Sequence, residues 1–318
     1  MKAAFCLPLL VLTGWCAAAL AQPVPGNQPP GEAPEPGEIV VRGDAARKDR
    51  PAAINRFIRA VIRPEPVGQY ARFDAPVCPS AIGFAEDQGE AIEARIRAVA
   101  DAAEIAVAPA GCQPNLHLVL VENGEDAIRV LRSRRPGAFG RMPHWQRDRI
   151  ARGPGPVYNW HAVYPVSSDG GGNRAVLNGG GTGAVGSGAA LLGEPAYNAG
   201  MTNVKSRLLQ PVKQQIGHGI VLVERAAATR ATALQLADFA AMRGLLSARE
   251  GSEDLAGVET ILRLFESGSA GQDHPPSLTQ WDLALLTALY RAPPDMNADR
   301  QRSAMARTFA RLLDEAEE

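Results

Sequence analysis

Five histidines and, beyond the leading segment, two cysteines carry most of the chemistry open to this chain, and their spacing narrows it. His117, His144, His161, His218 and His274 are scattered. No two stand four residues apart and no His-Glu-x-x-His occurs, so the local pair that anchors zinc on one helix face is missing. A hydrolase site would therefore have to be assembled from distant elements. Trp160 and His161 on one strand, His218 between two glycines, and the carboxylates Glu224 and Asp238 form such a candidate cleft. His117 sits in an apolar strand, where a buried, hydrogen-bonded imidazole is expected. Gly186-Ser187-Gly188 and Gly268-Ser269 lack the outer frame of a nucleophile elbow, and Ser-x-x-Lys is absent. Gly181-Thr-Gly183-Ala-Val-Gly186 fits a dinucleotide fingerprint. However, only Ala175-Val176-Leu177 precedes it, and residues 203–215 hold no carboxylate for a ribose. The inventory assigns no catalytic residue, no metal and no cofactor.

The leading residues carry the strongest signal. Met1-Lys2 opens an apolar run that ends at Ala19-Leu20-Ala21, followed by Gln22-Pro23. Charge, apolar core and small-x-small site predict a signal peptide over residues 1–21 and a periplasmic or secreted protein. Cys16 has the depth of a lipid-modified cysteine, but the bulky Trp15 before it disfavours that reading. Residues 22–48, rich in Pro, Gly and Glu, read as a disordered linker. Beyond the leader the chain keeps only Cys78 and Cys112, and two cysteines in an oxidising compartment are expected to pair. No transmembrane span is expected beyond the leader.

Net charge is −1 over 318 residues, which points to no particular partner, and an aromatic content of 5% gives little stacking surface for sugars or bases. One segment departs from this balance. Arg129, Arg132, Arg134, Arg135, Arg141, Arg147, Arg149 and Arg152 fall close together, with Asp148 among them. Guanidinium forks suit phosphate and carboxylate. Arg132, Arg134, Arg135 and Arg141 are the candidate anion-binding residues. An anionic lipid or an envelope glycan is the expected ligand, rather than nucleic acid.

Hydrophobic periodicity places these residues on elements. Helices are expected from Asp49 to about Ile62, from Glu86 to Ala103, and from Gly124 to about Arg134. Strands are expected at Gln69–Asp74, Asn115–Glu122, Val157–Val166 and Gly219–Glu224. Residues 167–200, with two Gly-Gly-Gly runs, read as a mobile surface loop. Capping boxes at Thr232/Gln235 and Thr279/Asp282 open two late helices. Val258–Phe265 and Asn297–Glu315 complete the helical set. Strands early and helices late predict one α+β domain over residues 49–318: a mixed sheet, flanking helices and a helical C-terminal part.

The segments Gln235-Leu-Ala-Asp238-Phe-Ala-Ala-Met-Arg243, Glu259-Thr-Ile-Leu262 and Leu278-Thr-Gln-Trp-Asp282, with Leu289-Tyr290, resemble uncharacterised exported proteins of alphaproteobacteria. More remotely they resemble secreted zincin-like domains. That resemblance implies a zincin-like scaffold in which the helix over Thr232–Ser247 takes the place of the zinc helix. It carries Leu236, Ala237, Asp238 and Phe239 there and no histidine. The expected function is an exported cell-envelope protein that binds anionic envelope components without catalysis. A divergent hydrolase with a non-standard site is the alternative.

Overall fold

The computed structural model describes residues 50–168, 210–248, 255, 258–266 and 274–318. The expected signal peptide, the linker, the fingerprint glycines and nearly all of the Gly-rich segment lie outside the described residues. Ser167 is the last residue of a strand rather than the start of a loop.

The fold is α+β. Four strands, β1 (Pro79–Ile82), β2 (Leu116–Val121), β3 (Val157–Ser167) and β4 (Val212–Glu224), form one mixed sheet in the order β1-β2-β4-β3. The first three in that order run parallel, and β3 closes the edge antiparallel to β4. Parallel neighbours need crossovers, and helices supply them. α2 (Glu86–Ala102) links β1 to β2. α3 (Gly124–Arg134), a 3₁₀ turn at Pro136–Phe139 and α4 (His144–Ala151) lead from β2 to β3. After β4 come the single turn α5 (Arg225–Ala228) and the helices α6 (Ala233–Leu245), α7 (Gln280–Arg291) and α8 (Ala298–Glu315). α1 (Arg50–Val61) precedes the sheet.

Strand alternation splits the core in two. Leu116, Leu118, Val221 and Val223 face α2 and α6, in a large core that α1, α7 and α8 extend. Tyr158, Trp160, Ile220 and Leu222 face the other way, under Ile128 of α3, Phe139 of the 3₁₀ turn and Ile150 of α4. Phe139 stacks on Trp160 with ring centroids 4.8 Å apart, and the indole N–H donates to the carbonyl of Ala138.

Cys78 and Cys112 form the expected disulfide, with Cα atoms 6.1 Å apart, tying the approaches to β1 and β2 across α2. Both expected capping boxes are present at α6 and α7. Two expectations fail. Gln69–Asp74 is not a strand: it holds one parallel bridge, Arg72 to Gln215, and its polar groups go to the C-terminal helices instead. Arg72 donates to the carbonyls of Leu289, Tyr290 and Ala292, covering the last turn of α7, while Gln301 accepts from the Tyr70 N–H. Val258–Phe265 is also not an α-helix. It holds a 3₁₀ turn at Ile261–Arg263, because Thr260 and Ile261 bond to the buried Asp282 carboxylate.

Candidate functional site

The register of β3 on β4 decides which residues can meet. Ala162 lies opposite His218 and His161 opposite Gly219. His218 shares the parity of Ile220 and Leu222, so it stands on the face of Trp160. His161 stands on the other face, against α6, where its Nε2–H donates to the carbonyl of Gly244 at 3.0 Å. The sheet therefore passes between His161 and His218. Asp238 lies with His161's face but points into the core. It accepts from Arg95 at 2.6 Å and from the Leu278 N–H, joining α2, α6 and the start of α7. Burial raises its pKa, and Arg95 opposes the rise. Glu224, at the end of β4, accepts from the Gly124 N–H at 2.9 Å and holds the start of α3. The five cleft candidates thus do not converge. Trp160 and His161 alone line a common cavity, on the outer side of β3.

A different cluster forms that histidine spacing could not show. His117 of β2 and His218 of β4 stack with ring centroids 6.1 Å apart. Ser80, paired with His117 across β1 and β2, places Oγ 2.8 Å from His117 Nδ1. A serine on an imidazole is half of a nucleophilic pair. Here the pair lacks the third group: Nε2 of His117 is buried without a hydrogen-bond partner. Burial, reinforced by His218, lowers the His117 pKa to about 4, far below that of a useful base. His161 is lowered to about 4 by burial, and His218 is lowered for the same reason. No group of three His, Cys, Asp or Glu side chains able to hold a metal ion occurs among the described residues.

The arginine segment divides once folded. Arg129 pairs with Asp126 and Glu125 within α3, and Arg132 reaches Asp148 of α4 at 2.6 Å. Arg147 donates to the carbonyls of Met142 and Gly140 and lies over the Phe139 ring; Arg152 donates to the carbonyl of Asp148. Arg149 lies over the exposed ring of Trp145, 5.9 Å from its centroid. Arg134, Arg135 and Arg141 are exposed and meet no carboxylate among the described residues. Of the four candidate anion-binding residues, Arg132 is therefore engaged and three stay available. Arg134 and Arg135 close α3, where cations suit the helix C-terminus.

A cavity of about 680 Å³ near these residues runs beside β3. Arg63 to Val67 form one bank and Arg141 to Arg149 the other, with Trp145 at the rim. Comparison of the chain with family models, with curated proteins and with solved structures finds no match.

Proposed function

We propose that this chain is an exported binding protein of the cell envelope that holds an anionic component, an acidic lipid headgroup or a phosphorylated glycan, on the surface made by the end of α3 and the turn before α4. The observation that carries the reading is the set Arg134, Arg135 and Arg141, exposed and without carboxylate partners among the described residues. A local field of this kind attracts anions even where the net charge of the chain is −1. The disulfide and the leading apolar segment support export. No helix among the described residues is long and apolar enough to cross a membrane. Binding rather than hydrolysis is favoured by the separation of His161, His218 and Asp238 and by the low basicity of His117.

Co-sedimentation with phosphatidylglycerol vesicles, with polyphosphate as the lipid-free competitor, tests the proposal. The wild type should bind at low salt and detach as ionic strength approaches physiological, where the Debye length is about 8 Å. Replacing Arg134, Arg135 and Arg141 together by Ser should abolish binding with circular dichroism unchanged. A wild type that ignores both ligands at low salt overturns the reading.

A further inference from the structure

Among the described residues, the long edge of the sheet is open. β3 stands last in the strand order, and no described residue pairs with its outer side. Hydrogen bonding fixes which groups face outward. The Glu224 N–H donates to the Pro156 carbonyl, so Tyr158 and Trp160 turn their backbone groups to β4, and Asn159 and His161 turn theirs away. The bulge at Ala162/Val163 leaves Gly217 of β4 unpaired and keeps the alternation of β3. Beyond it Gln214 and Ile216 bond to Arg72 on their other side, which leaves Val163 and Pro165 facing outward from β3. Proline has no N–H, and a sheet tolerates it on such an edge.

This edge forms the floor of the 680 Å³ groove, which Asn159, His161, Val163 and Pro165 line in alternation. Asn159 to Pro165 spans about 20 Å at strand rise, room for a short extended segment. The banks are positive. Arg63 stands on one side and Arg141 on the other, and both are exposed. The one carboxylate among the lining residues, Glu65, is half-buried and accepts from the Ser247 hydroxyl at 3.0 Å. Val67 and Trp145, 63% and 57% exposed, offer apolar contacts at the two rims.

We propose that the outer edge of β3 docks an extended acidic segment of a partner protein, which adds to the sheet as a further strand and sets its carboxylates against Arg63 and Arg141. Main-chain hydrogen bonds to Asn159, His161 and Val163 give affinity, and the arginine banks select sequence by charge. This goes beyond the anion-binding surface: it requires a peptide backbone, and the two share only Arg141.

The test uses the full protein and capped octapeptides in which Glu alternates with Val, Ile or Thr, read by amide hydrogen exchange and fluorescence anisotropy. Binding should protect the amides of Asn159, His161 and Val163 and should weaken with salt. Peptides methylated on the alternate amide nitrogens that face β3 should lose binding. Asn159→Pro removes one outward N–H and should weaken binding about fivefold. The same variant should leave binding to phosphatidylglycerol vesicles unchanged, so the two proposals fail separately. Lack of protection at millimolar peptide, or equal binding of the methylated peptides, overturns the proposal. Amides already protected in the free protein also overturn it, in favour of a second copy if light scattering reports a dimer and of the chain's own segment if it reports a monomer.

Discussion

His117 and His161 are held neutral, each lowered from 6.5 to about 4, chiefly by burial. The unfolded chain therefore takes up protons below pH 6.5 that the folded chain refuses until about pH 4, and stability falls across that window. Each histidine contributes on the order of 3 kcal/mol when fully titrated. Asp282 acts in the opposite sense. Burial raises its pKa from 3.8 to about 6, so folding gains from its protonation as pH falls through that range. His218, also lowered, adds to the loss, while Asp238 and Glu65, both raised by burial, act with Asp282, so the decline from pH 6.5 toward 4 belongs to the histidines' share of stability to urea. His117→Asn should flatten the decline, and an unchanged slope would show that His117 is not the titrating group. Asp238 gives a sharper residue-scale expectation. Its ion pair with Arg95 is almost fully excluded from water. Asp238→Ala should lower stability by about 3–5 kcal/mol, because it takes the counter-charge from a buried guanidinium. Replacing both partners by leucine and methionine should recover most of the loss in urea titrations.

At the scale of elements, two glycines set the distance between α6 and the sheet. A Cβ on Gly244 would stand 2.1 Å from Leu116, and one on Gly219 would stand 2.8 Å from the Gly244 carbonyl. Gly244→Ala should therefore push α6 off β2 and cost about 1–3 kcal/mol in thermal or urea unfolding. The same displacement moves the carbonyl that holds His161. Helices with caps were legible in the sequence: Asn123 accepts from the Asp126 N–H and starts α3 at Gly124, the expected position. β1 was not legible. Pro79-Ser-Ala-Ile is too short to display alternation, and its proline reads as a turn although a strand accepts proline at its first residue. β4 was legible only from Gly219, since Gln214 and Gln215, both buried, mask its first half. α4 carries too few apolar residues to reveal itself; only Ile150 is buried. The candidate cleft could not be judged without the register, because one step along the hairpin moves a histidine to the opposite face. The fate of the arginines depended on the same tertiary detail. Asp148 lies 16 residues beyond Arg132 in sequence and reaches it only once α3 and α4 pack together.

For the whole molecule, the disulfide fastens β1, α2 and β2 into one loop with a sequence separation of 34. In the chain-entropy view, closing such a loop stabilises the fold by about 4 kcal/mol. In a chain starting at Gln22, which carries only these two cysteines, reduction and alkylation should lower the urea midpoint accordingly, and the mass should rise by two alkyl groups only after reduction. Two thiols alkylated without reductant would contradict the bridge.

The large core joins the start of the described chain to its last helices. Phe57 of α1, Trp281 of α7 and Phe309 of α8 meet edge to face, with centroids 5.2–6.0 Å apart. Arg50 at the head of α1 pairs with Asp314 at the end of α8 and with Glu317 just past it. Among the described helices, the one made first on a ribosome thus finds its packing partners in the last two. Until those are made α1, twelve residues long, has too few turns to hold itself together in water. A chain delivered head first through a membrane pore would stay threadable for as long as its tail is withheld. Ending the chain before Ala298 should leave α1 open to proteases, whereas the intact protein should resist cleavage there.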